Sequence, residues 1–322
     1  MVGAIVAVAV LVTGVIVALR WSSGSGPDST AECTVPAVSG APVTVVVEGP
    51  QQSGAGAAGT AELGASPAPS TYVTTAPEVD LDAVQLQHAS TINAVGLHRK
   101  VPERARIIAV ATAWQESKLR NLPGGDRDSI GLFQQRPSQG WGDPQQLADP
   151  VYAAGKFYEE LLKVPGWQSM SLTMAAQEVQ YSAFPDAYAQ WEPGATTLVR
   201  ALSGQPALEP TCRAGAQPST ATPPARTPLP GTGSADARLS GLLAAGQAEL
   251  GGLQLVSLTA DHLTATVRVG DATAGRALAA WTVAHATGFS VTQVVAGDRA
   301  WRDHGWLDSG AGGADLVTIT VG

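Results

Sequence analysis

The 322-residue sequence predicts a mainly α domain and a small C-terminal α+β domain, both carried behind an N-terminal transmembrane helix. Three observations carry that expectation. Residues 1–19 form an uncharged apolar run, two segments between Asp82 and Leu119 place apolar residues at helical spacing, and beyond residue 237 strand-like alternation is interleaved with helical stretches. Low-complexity segments divide these parts. The expected organisation is a transmembrane anchor at 1–20, a disordered Gly/Ala/Ser/Pro tether at 21–78, a folded unit at 79–212, a Pro/Thr/Ala linker at 213–236 and a second folded unit at 237–322.

The first nineteen residues span about 28 Å as a helix, close to the hydrocarbon thickness and longer than the core of a signal peptide. No small-x-small site follows at once, so a retained anchor is expected, with a cleaved signal peptide as the competing reading. After Arg20 no Lys or Arg appears until Arg99, and long segments translocate largely regardless of charge, which places the rest of the chain outside the cytoplasm. Within the tether, Val43 to Val47 reads as an isolated strand. Cys33 and Cys212 bracket the first folded unit. In an oxidising exterior they are expected to join, two separate thiols being the alternative.

Composition removes several classes of function. A net charge of −8 leaves no surface built to hold phosphate backbones, so nucleic acid is not an expected partner. Two cysteines exclude a disulfide-dense scaffold and a four-cysteine zinc site. The five histidines, His88, His98, His262, His285 and His304, are scattered without ligand spacing, and no Walker loop, nucleophile elbow or dinucleotide fingerprint occurs. No metal and no cofactor is expected.

In the first folded unit Asp82 to Gly96 reads as a helix, and Pro102 sits where a first helical turn tolerates a missing N–H, opening a second helix that runs to about Leu119. Counted at 100° per residue, Leu119, Thr112, Ala109 and Ala105 share a stripe with Glu116. A carboxyl there would be partly desolvated, which raises its pKa toward what a general acid needs near neutral pH. The competing reading is an exposed glutamate in a last helical turn, with Arg120 drawing its pKa down.

The surrounding text is more specific. In order stand Ala113-Trp114-Gln115-Glu116-Ser117, a Gly124-Gly125-Asp126 loop, and Ser129-Ile130-Gly131-Leu132-Phe133-Gln134-Gln135-Arg136-Pro137. Together they resemble the lysozyme-like lytic transglycosylases of bacterial cell walls, in which a helix ends in Glu-Ser and a loop leads to Gly-Leu-Met-Gln followed closely by Pro; here Phe133 stands in place of Met. The resemblance covers about residues 80–200. A longer similarity to wall-associated proteins of high-GC Gram-positive bacteria continues through Gly140-Trp141-Gly142, Leu147-Ala148-Asp149-Pro150 and Ala187-Tyr188-Ala189.

The resemblance implies a lysozyme-like first domain acting on peptidoglycan glycan strands. Glu116 would be the single acid and base, protonating the oxygen between N-acetylmuramic acid and N-acetylglucosamine and then taking a proton from the sugar's own 6-hydroxyl as a 1,6-anhydro ring closes. Ser117 would bond near the acid, and Gly131, Leu132, Phe133 and Gln134 would line the cleft. The family's Tyr-Asn-Ala-Gly motif has its counterpart in Tyr181-Ser182-Ala183-Phe184, with Asn and Gly both replaced, and Tyr181 is the expected tyrosine beside the acid.

Two alternatives stand beside this reading. A hydrolytic muramidase needs a second carboxylate, for which Asp126 and Asp128 are the candidates, although aspartates beside glycines are commonly turn formers. A non-catalytic scaffold in an envelope assembly would grip glycan with the first unit. In the second unit, Ala235 to Leu250 and Ala274 to Ala286 read as helices, and His262 to Val269, Ser290 to Ala296, Ala300 to Trp306 and Leu316 to Val321 as strands of an antiparallel sheet. Residues 237–322 match no activity, and docking of an envelope partner is their expected role; residues 1–20 would contact the membrane.

Overall fold

The computed structural model describes residues 32–37, 42–47, 70–75, 78–181, 187–213, 234–310 and 312–322. The first strands are β1 (Glu32–Val35), β2 (Pro42–Val47), β3 (Ser70–Thr75) and β4 (Val79–Asp82). They are followed by helices α1 (Ala83–His98), α2 (Glu103–Ser117), α3 (Pro144–Leu147), α4 (Pro150–Leu161), α5 (Leu172–Gln180) and α6 (Glu192–Leu202), and then by strand β5 (Thr211–Arg213). The C-terminal half holds α7 (Ala235–Glu249), β6 (Gln254–Leu258), β7 (Thr264–Arg268), α8 (Ala272–Ala284), α9 (Ala286–Phe289), β8 (Val291–Ala296), β9 (Arg299–Arg302), β10 (Gly305–Asp308) and β11 (Leu316–Val321).

This architecture overturns the expectation of a mainly α lysozyme-like domain followed by a separate small α+β domain. Antiparallel sheets build both halves. A three-stranded sheet, ordered β4-β1-β5, borders the first helices, and a six-stranded sheet, ordered β10-β9-β8-β11-β7-β6, forms the C-terminal half. The transmembrane helix expected at 1–20 lies outside the described residues, and among those described no helix is long and apolar enough to cross a membrane. The longest, α1 with 16 residues, reaches about 24 Å at 1.5 Å per residue, and its apolar side is packed in the protein core.

The tether at 21–78 also needs correction, because β1, β2 and β3 fall inside it. The central strand β1 pairs on one side with β4 and on the other with β5, with Cys33 directly opposite Cys212. The two form the disulfide, across 179 residues of sequence, and both are buried. Closing so long a loop restricts the unfolded chain, which is why a four-residue strand in a low-complexity stretch holds its place. The isolated strand expected at Val43–Val47 has a partner in β3.

Helix α1 starts where β4 ends. Asp82 accepts from the Gln85 N–H and Gln85 answers at the Asp82 N–H, a capping box that satisfies two donors a helix start leaves open. The core joins Leu86 and Ile92 of α1 to Ile108 of α2, Phe157 and Tyr158 of α4 and Leu198 of α6, all fully buried. Each such side chain contributes on the order of 1.5–3 kcal/mol by leaving water.

The two halves share this core. Helix α8 packs on α1 and α6, and α7 on α1. Arg276 donates to the Gly204 carbonyl at 2.7 Å, Trp306 to the Pro210 carbonyl at 2.9 Å, and Arg299 pairs with Glu209 at 3.3 Å. Gly204 has φ +80°, and a Cβ there would lie 2.4 Å from the Thr273 carbonyl oxygen, so this approach of the halves requires glycine. In the large sheet Ala265, Val267, Val317 and Ile319 point to the core and alternate with threonines, the period-2 pattern of a sheet covered on one face. The single strand expected over Ala300–Trp306 is a hairpin of β9 and β10, turning at Asp303 and His304, both with positive φ, as a two-residue hairpin turn matched to strand twist requires.

Candidate active site

The site is built on the last turn of α2. That helix ends because Lys118 and Leu119 both adopt left-handed φ, 56° and 58°, letting their N–H groups turn back to the Trp114 and Ala113 carbonyls. Leu119 is fully buried and pins the turn, as are Ala105, Ala109 and Thr112 on the stripe below Glu116. Two contacts from α1 hold the same turn from outside: Gln85 donates to the Lys118 carbonyl at 3.0 Å, and His88 meets the Leu119 carbonyl at 2.7 Å.

Ser117 faces inward and ties the helix to the glycine segment. Its hydroxyl donates to the Ala113 carbonyl at 3.0 Å and to the Leu132 carbonyl at 2.8 Å. Gly131, at φ +82°, bridges to Leu122, and a Cβ on it would lie 2.3 Å from the Leu147 carbonyl oxygen, so only glycine lets the segment pass this close. Leu132 and Phe133 do not line a cleft. Both are fully buried, with Phe133 stacked on Phe157 at 4.7 Å, and what this segment offers the site is backbone. Gln134 folds back on the same turn, its amide donating to the Gly131 carbonyl at 3.0 Å.

Glu116 itself is half-buried. Its Oε1 accepts from the Tyr188 hydroxyl at 2.5 Å, and the Gln180 side chain also hydrogen-bonds the carboxylate. Gln180 donates in addition to the Phe133 carbonyl at 2.7 Å, so it links acid and glycine segment. Burial pushes the Glu116 pKa up, and the bonds from Tyr188 and Gln180 and the charge of Lys118 offset part of that rise. The Lys118 ammonium lies 4.5 Å from the centre of the Trp191 ring. Trp191 stacks on Trp114 at 5.0 Å and donates to Gln115, placing a half-buried aromatic pair beside the acid.

The tyrosine on the acid is therefore Tyr188 and not Tyr181. Tyr181 caps α5 at φ 50° with 80% of its surface exposed, and no bond joins it to Glu116 among the described residues. In the sequence Tyr188 stands within Ala187-Tyr188-Ala189, and nothing local marks it, since its contact spans 72 residues. Replacing Tyr188 by Phe removes a bond that favours the carboxylate. If Glu116 acts as an acid, Tyr188→Phe should lower the rate about tenfold or more, as loss of a hydrogen bond to a charged group does, and move the alkaline limb of the pH–rate profile upward. A merely packing role would leave that limb in place.

No protein-family model matches the chain, and no curated protein does either.

Of the candidates for a second carboxylate, one is tied to its own loop and the other faces solvent. Asp128 accepts from Arg136 and from the Ser138 N–H, each at 2.7 Å, which holds its pKa well below the usual range, and Asp126 points into solvent. Among the described residues no carboxylate figures in the groups that set the protonation of Glu116. A groove of about 580 Å³ lies between α4 and α5, with Gln180 among its lining residues. Its walls include Trp141, Lys156, Glu160, Lys163, Glu178 and Tyr181, so the exposed tyrosine belongs to this groove. Such a volume suits a ligand of two or three rings.

Proposed function

We propose that this protein cleaves peptidoglycan glycan strands in the manner of a lytic transglycosylase, with Glu116 as the single acid and base. The observation that carries the reading is a half-buried carboxyl with a raised pKa, held by Tyr188 and Gln180, with no carboxylate partner among the described residues. A two-carboxylate hydrolase needs a base about 5 Å from the acid or on the far face of the sugar, and among the described residues no carboxylate figures in the groups that shift the Glu116 pKa.

The reaction then follows from proton bookkeeping. Protonated Glu116 gives its proton to the glycosidic oxygen as that bond to the muramyl anomeric carbon breaks, and the resulting carboxylate, steadied by the Tyr188 hydroxyl, accepts the proton of the sugar's 6-hydroxyl as its oxygen closes onto that carbon. No water is consumed. The Cys33–Cys212 disulfide supports a location outside the cytoplasm, where such bonds persist and this substrate lies.

The test is to digest purified peptidoglycan with the full chain and weigh the fragments. Products one water lighter than hydrolysis fragments, lacking a reducing end, are expected. Reducing ends would replace transglycosylation with hydrolysis, and no fragments from folded protein would remove the enzymatic reading.

A further inference from the structure

Neither Lys118 nor Leu119 is a glycine, yet both take left-handed backbone, at φ 56° and 58°, directly after the acid-bearing turn of α2. A Cβ makes that conformation costly, so two such residues in a row persist only where their surroundings hold them, and strain held in this way gathers at functional sites. Bonds within α2 account for the two N–H groups, which return to the Trp114 and Ala113 carbonyls. The two carbonyls of the turn are held from α1. Gln85 donates to that of Lys118 at 3.0 Å, and His88 Nδ1 meets that of Leu119 at 2.7 Å.

The partner fixes the state of the His88 ring. A carbonyl only accepts, so Nδ1 carries a proton, and in the neutral imidazole Nε2 is then bare. Burial lowers the His88 pKa to about 4, and His285 and Arg120 act in the same direction, against the Leu119 carbonyl and Asp82. The ring is therefore a neutral donor near neutral pH. His285 belongs to the C-terminal half. Thr91 lies one turn beyond His88 on the same face of α1 and bonds Glu249 of α7, and α8 packs on α1, so the C-terminal half backs the helix face that presents His88 to the turn.

Resting on the function proposed above, we infer that His88 is a positioning residue for the acid: its Nδ1–H locks the Leu119 carbonyl, and through that turn it fixes the depth at which the Glu116 carboxyl and its Lys118 neighbour are held. Burial is the main cause of the raised Glu116 pKa, and releasing the turn would admit water to the carboxyl. The lock is thus legible in the titration of Glu116 as well as in turnover.

Full-chain protein with ¹³C-labelled glutamate carboxyls gives that titration, the Glu116 signal being the one that Glu116→Gln deletes. His88→Leu should lower the midpoint toward the ordinary carboxylate value and cut kcat for strand cleavage about tenfold with KM within about twofold, the size of one hydrogen bond expressed in the transition state. His88→Asn, whose amide N–H can stand where Nδ1–H stood, should restore the midpoint and keep kcat within about threefold of the parent. A contact that serves the fold alone would shift thermal unfolding and leave the Glu116 midpoint in place, which overturns the inference, as does an Asn variant impaired as much as the Leu variant. The unmutated protein provides a reading that needs no variant to fold: above about pH 5 its ¹⁵N imidazole spectrum should show His88 protonated at Nδ1 and bare at Nε2, and a proton on Nε2 overturns the inference. The two proposals fail separately. A midpoint moved by His88→Leu in a protein that cuts no strands removes the enzymatic reading alone, whereas strand cleavage with the midpoint unmoved removes the role of His88 alone.

Discussion

Glu116→Gln should lower fragment release from purified peptidoglycan by about 10²–10⁴-fold, the range that general acid–base catalysis supplies, while leaving the fold intact. Gln keeps the shape and can still accept the Tyr188 hydroxyl through its Oε1, but it has no proton to give the leaving oxygen and cannot take one back. The variant should unfold no earlier than its parent, since a neutral amide avoids the desolvation that raises the Glu116 pKa. The pH–rate profile provides a second reading of the same group. Cleavage begins from the protonated form, and burial favours that form, so the rate should hold at acid pH and fall as pH rises through the elevated pKa of Glu116. A Glu116→Gln protein that retains activity within a few-fold would show that the chemistry lies elsewhere.

What could be read in the sequence divides along sequence separation. The stripe of Ala105, Ala109, Thr112 and Leu119 beneath Glu116 follows from helical geometry alone, and those four residues are buried as that geometry requires. Ser117 and Gly131 were identifiable by motif, and their bonds explain the motif: one hydroxyl reaches the Leu132 carbonyl and one glycine passes the Leu147 carbonyl. Leu132 and Phe133 belong to the same motif for a different reason, as core. Tyr188 could not be found this way, because its role is fixed by how residues 187–191, just ahead of α6, lie against α2. The same holds for the sheets. Strand β1 is four residues long in polar, repetitive surroundings and becomes the centre of a sheet only through Cys212, and β6 is exposed at every position, so no burial period marks it. The halves look separable by composition, yet Arg276, Trp306 and Arg299 bind the first half through carbonyls and one carboxylate that no local pattern announces.

The contact between the halves should make Glu249→Gln more stable than its parent at pH 8 by roughly 3 kcal/mol, with the difference gone near pH 4. Glu249 ends α7 and is buried against α1 and α8. Its Oε2 accepts from the Trp281 indole at 2.7 Å, the Thr91 hydroxyl bonds it from α1, and His285 Nε2 stands 3.8 Å from Oε1. His285 stacks on Trp281 at 4.1 Å and shares a proton at Nδ1 with the Trp281 carbonyl, which leaves Nε2 a bare acceptor facing the carboxyl. Burial raises Glu249 from 4.5 to about 7, with Asp149 adding to the rise, and lowers His285 and His88 from 6.5 to about 4; at His88 the Leu119 carbonyl and Asp82 offset part of the drop while His285 and Arg120 add to it. The signs oppose. Between about pH 4.5 and 7 the folded protein holds a proton on Glu249 that the unfolded chain has released, so this residue's contribution falls as pH rises. Between about pH 4 and 6.5 the unfolded chain holds protons on both histidines that the folded protein excludes, so theirs rises. An amide at 249 keeps an acceptor for Trp281 and deletes only the falling component. Urea unfolding of both proteins at pH 5 and pH 8 isolates it, since titrating groups out of contact with residue 249 cancel in the difference. A gap of the same size at both pH values, or a variant less stable at pH 8 than at pH 5 relative to its parent, would mean that Glu249 is ionised and paired between the halves, with His285 as its counter-ion.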